Sequence, residues 1–238
     1  MKFDFNNLIR GVSTSSNIHF IVGHYGSGKT EFAVNYAVRL RRNGANVAMA
    51  DMDIVNPYFR TRQQAELLGT RGIRVVSGNL GNDWRIDLPA LNSELQSFFI
   101  DNGRENVIDV GGNAAGARVL ARFRDQIPET GYDMWLVINA NRYESQSADQ
   151  VIAFAESITA ACGLHLTGTV SNTHMLRETT MEDILRGARV TREVSQRLGI
   201  PCIYTCCPEE LLEECGAYKG EIPGELFPID LYMRPAYL

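Results

Sequence analysis

Lys29 and Thr30 close the run Gly23-His24-Tyr25-Gly26-Ser27-Gly28-Lys29-Thr30, which fills the pattern G-x-x-x-x-G-K-T. Each residue type has a chemical use there. Glycines at positions 23, 26 and 28 let the backbone turn through positive φ and gather successive N–H groups around an anion. An ammonium at Lys29 suits bridging phosphates, and the Thr30 hydroxyl suits the oxygen shell of Mg²⁺. The apolar stretch Ile18 to Val22 just before reads as a buried strand, and the helical spacing of Phe32, Ala33, Tyr36, Ala37 and Leu40 follows. A strand, this loop and a helix in that order form a phosphate-binding loop, with the helix N-terminus aimed at the same anion. Gly23, His24, Tyr25, Gly26, Ser27, Gly28, Lys29 and Thr30 are therefore the first candidate nucleotide-binding residues.

Further polar residues fall at the ends of other apolar stretches. Asn46 to Asp51 reads as a second strand, ending in Asp51-Met52-Asp53. Ile73 to Ser77 is a third, Asn106 to Val110 a fourth, Met134 to Ile138 a fifth, Leu166 to Ser171 a sixth and Ile203 to Thr205 a short seventh. Helical spacing fills the gaps at 88–101, 114–123, 145–161 and 180–198, with Ser145 or Ser147 as one cap and Thr180 with Asp183 as an imperfect capping box. Strands alternating with helices predict an α/β fold: a single-domain, mostly parallel sheet of about seven strands, with helices on both faces. Residues 1–17 form an arm, 18–221 the nucleotide-binding domain, and 222–238 a Pro/aromatic tail. The tail reads as an extended strap over the same domain or as a partner-docking segment.

In such sheets ligands bind at the carboxyl ends of the strands. That rule singles out Asp51, Asp53, Asp109, Asn139, Asn141, Asn172 and the run Cys206-Cys207-Pro208-Glu209. The 23 basic residues are outnumbered by 28 acidic ones and are scattered, which argues against a nucleic-acid partner. No apolar run reaches the about 20 residues of a membrane span, and the first 17 residues lack a secretory pattern, so a cytoplasmic location is expected. Five cysteines are an odd number for a disulfide framework. Cys202, Cys206, Cys207 and Cys215 follow C-x₃-C-C-x₇-C rather than paired C-x₂-C, so they are expected as thiols and not as a zinc site.

Taken together, Gly23 to Thr30, Asp51-Met52-Asp53, the D-x-x-G of Asp109 and Gly112, and Asn172 on a late strand resemble the MinD/ParA/ArsA and nitrogenase-iron-protein group of SIMIBI P-loop NTPases. The resemblance spans roughly residues 18 to 212. It implies an ATPase, a hydrolase of the phosphoanhydride bond, with ATP and Mg²⁺ as ligands and a protein partner under its control. It also implies roles. Lys29 acts at the phosphates, Asp53 orients the attacking water, and Thr30, Asp51 and Asp109 serve the Mg²⁺. Gly112 senses the γ-phosphate, Asn172 meets the adenine edge, and Pro208 and Glu209 line the base pocket.

Members of that group carry a second lysine after the first loop glycine, which reaches the nucleotide of a facing subunit. This chain has His24 there, and an imidazole is shorter and carries no fixed charge, so a homodimer would lack its cross-subunit cation. Arg60, Arg62, Arg118 and Arg142 are the arginines that could supply a charge-stabilising finger. The loop also resembles nickel-insertion GTPases of the UreG and HypB type, but Asn172-Thr173-His174-Met175 lacks their guanine-reading carboxylate, which favours ATP. A metallocentre-maturation NTPase and an ATP-dependent synthetase of the dethiobiotin type remain the alternatives. Asn56-Pro57-Tyr58-Phe59-Arg60 is expected as a partner-facing loop, and Gly111 to Gly116 as a mobile phosphate sensor.

Overall fold

The structure, a computed structural model, describes residues 16–52, 61–77, 95–100 and 103–233, with the backbone alone for 61–64. Eight strands form one sheet in the order β3-β2-β4-β1-β5-β6-β7-β8, and every neighbouring pair is parallel. The strands are β1 (Ile18–Val22), β2 (Val47–Met52), β3 (Arg74–Ser77), β4 (Glu105–Val110), β5 (Asp133–Ile138), β6 (Gly168–Ser171), β7 (Cys202–Cys207) and β8 (Glu225–Pro228). Between them run α1 (Lys29–Arg42), α2 (Thr61–Thr70), α3 (Ala114–Ala121), α4 (Ala148–Cys162), α5 (Met181–Leu198) and α6 (Leu212–Ala217). None of the described helices is long and apolar enough to cross a membrane.

Alternation along the central strands sorts the core into two layers. Phe20, Ile108, Leu136 and Ile138 face a cluster with Ala117 and Leu120 of α3 and Val151, Ala155 and Ile158 of α4. Ile21, Val107, Trp135 and Val137 face the other way, against Phe32, Tyr36 and Ala37 of α1 and Leu68 of α2. A third, smaller cluster joins Ile184 and Ala188 of α5 to Cys207, Cys215 and Ile222. Burial on both faces explains why these strands read as nearly continuous apolar runs.

Local signals set the helix ends. Ser147 caps α4 in a reciprocal box with Gln150, and Thr180 caps α5 in a reciprocal box with Asp183. Gly163 and Gly199 close these helices in the left-handed region, at φ 71° and 67°, where a glycine carries no Cβ penalty. At the amino ends of the central strands His19 is fully buried. Its Nε2 lies 2.8 Å from Glu105 and its Nδ1 3.2 Å from Asp133. Burial pulls the imidazole pKa down, but hydrogen bonds and charge from Asp133 and Glu105 outweigh it and leave the pKa raised.

The sheet has one strand more than the seven expected, because the tail contributes β8. β8 pairs with β7, and Phe227 packs between Phe32 and Tyr204, at ring distances of 5.2 and 5.1 Å. Beyond it the chain runs back over α1 as a strap. Asn35 bonds both the N–H and the carbonyl of Asp230 at 2.8 Å, and the Tyr232 N–H donates to Glu31 at 2.6 Å. β7 is also longer than expected and takes in Cys206 and Cys207. Residues 53–60, the loop at 78–83, most of the helix expected at 88–101 and nearly all of the N-terminal arm lie outside the described residues.

Candidate functional site

Strand order makes the site. β1 lies between β4 and β5, so the chain's crossovers leave it in opposite directions and a crevice opens above its carboxyl end. The loop from Gly23 to Gly28 sits in that crevice and hands the chain to α1. Gly26 and Gly28 adopt φ 77° and 80°, so the glycine pattern is used for backbone that other residues resist. At Gly28 a Cβ would also come within 2.5 Å of Asn172 Nδ2 and 2.8 Å of His174 Nε2.

Period-two alternation then places Asp51 of β2 beside Asp109 of β4 as register partners, both on the α1 side of the sheet. Lys29 Nζ lies 3.2 Å from Asp109 Oδ1, and the Thr30 hydroxyl donates to Asp109 Oδ2 at 2.5 Å. Burial drives the Asp109 carboxyl up to about 6; Lys29 pulls it down, Asp51 pushes it up and the Thr30 hydroxyl pulls it down. Two carboxylates and a hydroxyl gathered at one helix start are oxygen donors, the set that a hard divalent cation takes. Gly112 follows Asp109 and lies against the loop. A Cβ there would be 3.2 Å from the Tyr25 nitrogen, 3.3 Å from the Gly23 carbonyl and 3.5 Å from Lys29 Cε.

A cleft of about 1150 Å³ opens in front of these groups. Of the sequence candidates, His24, Tyr25, Gly26, Gly28, Lys29, Thr30, Asn172, Pro208 and Glu209 line it. Gly23 and Ser27 support the loop from behind; Ser27 is buried, and its N–H closes a turn on the His24 carbonyl at 3.0 Å. Asp109 is buried behind Lys29, with Asp51 beside it on the neighbouring strand. Asp53 lies outside the described residues. His24 lines the cleft while its ring packs on Phe154 of α4 at 5.1 Å between centroids.

Asn172 is buried, and its Nδ2 donates to the Ser27 carbonyl at 2.8 Å, which ties β6 to the loop. Several further residues act with it. Asn139, at the end of β5, donates to the Gly26 carbonyl at 3.3 Å, while its Oδ1 accepts from the Asn141 N–H at 3.0 Å. Thr173 accepts from the Ala140 N–H at 2.9 Å. Arg142 donates from Nε to the Gly26 carbonyl at 3.0 Å. Asn141, Arg142, Tyr143, Thr173 and His174 line the cleft, as do Cys206, Cys207 and residues 229–231 and 233 of the strap. Asn139, Asn141, Cys206 and Cys207 were visible as strand-end residues and Arg142 as one of four candidate arginines; nothing local marks Tyr143, Thr173, His174 or the strap, because only the sheet order brings them to the loop. Cys162, Cys202, Cys206, Cys207 and Cys215 are free thiols. Among the described residues, no three histidines, cysteines or carboxylates gather to hold a metal ion.

No protein-family model and no curated protein sequence matches the chain. Solved structures do. The cell division protein FtsY of Thermotoga maritima superposes with a TM-score of 0.55 at 21% identity, covering 86% of this chain and 69% of that one. FtsY of Mycoplasma mycoides gives 0.55 at 18% identity, with 82% and 61% covered. The signal recognition particle 54 kDa protein of Aeropyrum pernix, in complex with GDP, gives 0.52 at 20% identity, with 83% and 45% covered. This chain thus spans less than two thirds of the length of the latter two. At such identities the likeness is one of fold alone, the parallel α/β sheet with its helices described above.

Proposed function

We propose that this protein binds Mg·ATP in the cleft at the carboxyl end of β1, hydrolyses it slowly, and uses the loops after β2 and β4 as a switch that controls a partner protein. The observation that carries this reading is the interlock of Lys29, Thr30 and Asp109 at the mouth of α1, with the ammonium and the hydroxyl both within 3.2 Å of one carboxylate. In this reading Lys29 and the N–H groups of the loop hold the phosphates, and Thr30, Asp51 and Asp109 are the residues that would hold Mg²⁺. The ion would supply charge neutralisation at the phosphates.

Hydrolysis forms a bond from a water oxygen to the γ-phosphorus and breaks the bond to the β–γ bridging oxygen. The bridging oxygen leaves on ADP with its electron pair, and the proton of the water ends on phosphate or solvent. Asp53 is the candidate to orient that water. Gly112 lies against the Gly23 carbonyl and Lys29, which supports its role as the residue that would follow the γ-phosphate, so the segment after Asp109 would move when phosphate leaves.

Adenine is favoured over guanine by two features. Asn172 uses Nδ2 on the loop, which leaves Oδ1 as an acceptor suited to an exocyclic amine. Met175 stands where guanine readers of the UreG and HypB type present a carboxylate. The GDP bound by the Aeropyrum neighbour makes guanine nucleotides the comparison to run. The MinD/ParA/ArsA resemblance is the finer form of this proposal.

Phosphate release and nucleotide binding test the reading together. Lys29→Ala is expected to abolish binding of Mg·ATP, and Asp53→Ala to keep binding while losing hydrolysis. Tight ATP binding by Lys29→Ala would overturn the site.

A further inference from the structure

Of the arginines that could stabilise charge at a phosphoryl group, one is already at the loop. Arg142 follows β5 and crosses to the phosphate-binding loop, where Nε donates to the Gly26 carbonyl at 3.0 Å. It lies so close over Gly26 that a Cβ on that residue would come within 3.0 Å of Nε and 3.5 Å of Cζ, which gives Gly26 a second reason to be glycine besides its φ of 77°. The side chain lines the same cleft as Lys29 and Thr30. Its Nη atoms make no hydrogen bond and meet no carboxylate at ion-pair distance among the described residues.

The other positions singled out in the sequence are less suited. Arg118 sits on α3 and does not line the cleft, and His24 packs on Phe154. The side chains of Arg60 and Arg62 lie outside the described residues. The turn that carries Arg142 is itself fixed. Ser145 donates to the Asn139 carbonyl at 2.7 Å, the Arg142 N–H donates to the same carbonyl at 3.1 Å, and Asn139 donates to the Gly26 carbonyl that Arg142 shares.

We propose that Arg142 is a built-in arginine finger, a catalytic residue that stabilises charge on the transferring phosphoryl group from within the same chain, in place of the cross-subunit lysine whose position His24 occupies. The inference rests on the Mg·ATP reading above. Its Nε is spent on positioning, and the two Nη atoms remain to meet the charge that grows on the γ-phosphate oxygens as the bridging bond lengthens. A guanidinium suits this use because its donors are fixed in one plane and its charge does not titrate. Charge that develops only in the transition state is where a preorganised cation acts on rate more than on ground-state binding.

The test measures binding and rate separately on the full chain. Calorimetry with Mg·ATP, Mg·ADP and Mg·ADP plus aluminium fluoride is run beside single-turnover phosphate release, on wild type, Arg142→Ala and Arg142→Lys of matched thermal stability. Arg142→Ala is expected to keep ATP affinity within about threefold, to lose about 10³-fold in the hydrolysis rate, and to lose tight capture of the aluminium fluoride complex. Arg142→Lys should recover only a small part of either loss, since a point cation cannot hold Gly26 and the phosphoryl group at once. Three results would overturn the proposal: an unchanged rate with unchanged capture in Arg142→Ala, a fall in ATP affinity as large as the fall in rate, which would make Arg142 only a prop for the loop, or full recovery by Arg142→Lys. A wild type that binds no Mg·ATP would instead overturn the reading on which the proposal rests.

Discussion

At Asp109 a buried charge costs stability, a cost that the proposed Mg²⁺ role would explain. Its carboxyl sits behind Lys29 with almost no exposure, and its pKa is pushed from the ordinary 3.8 to about 6, first by burial. A folded-state pKa above the unfolded one means that the fold binds this proton more tightly than the unfolded chain does. The stability linked to it is therefore complete below about pH 3.8 and is lost as pH rises to about 6. Asp109→Asn keeps an acceptor for Thr30 and removes that titration. Its melting temperature relative to wild type should rise between pH 4 and 6 and stay level above, while Mg²⁺-dependent nucleotide binding is lost. Thermal scans at pH 4, 5, 6 and 7.5 check this, and a gap that does not change with pH would contradict the account. In wild type the same group predicts weaker Mg²⁺-dependent binding as pH falls through about 6.

At the scale of elements, α5 illustrates packing overriding propensity. Gly187 lies inside an 18-residue helix, where alanine would ordinarily be better by up to about 1 kcal/mol. A Cβ there would fall 2.1 Å from Thr173 Oγ1 and 2.4 Å from Thr173 Cβ, so the helix needs the gap to approach β6. Gly187→Ala should therefore destabilise the fold by roughly 1–3 kcal/mol and displace Thr173, which holds the end of β5 through the Ala140 N–H. Gly216→Ala in α6, where a Cβ meets nothing within 4 Å, is the control, expected to leave stability unchanged or raise it by up to about 1 kcal/mol. Chemical denaturation of both variants decides it.

The same scale explains what could be read beforehand. β1, β2, β4 and β5 are covered on both faces, and their apolar runs announce them. The Gly23–Thr30 pattern encodes its own turn, so the loop and the helix after it were legible residue by residue. β8 was not, since Glu225-Leu226-Phe227-Pro228 is four residues long, carries a charge and ends in a proline that only an edge position tolerates. Cys206 and Cys207 were expected after a strand and lie within one, because β8 extends the pairing of β7 over both. Arg142 was one of four arginines that the sequence offered with nothing to select it, and Thr173 and His174 could not be recognised as cleft residues. Their proximity to the loop follows from β5 lying beside β1 and β6 lying next beyond it, which is a property of the sheet order.

Across the whole molecule the two ends of the sheet do different things. At the amino ends the chain is locked, with His19 held by Glu105 and Asp133 of adjacent strands. At the carboxyl ends it is open, with a cleft of about 1150 Å³ walled by loops from β1, β5, β6 and β7 and by the tail. The strap binds Glu31 and Asn35 one turn apart on the helix that begins at the phosphate-binding loop, so the tail forms a wall of the site. The central claim is that this cleft takes Mg·ATP and reads its base. Calorimetric titration of the wild-type chain with ATP and with GTP, each with and without Mg²⁺, tests it most directly. A site that pairs with one base can reject another by up to about 10⁴-fold. The account predicts Mg²⁺-dependent ATP binding with GTP far weaker. Preference for GTP would contradict the assignment of Asn172 and Met175, and binding of neither nucleotide would contradict the account at its root.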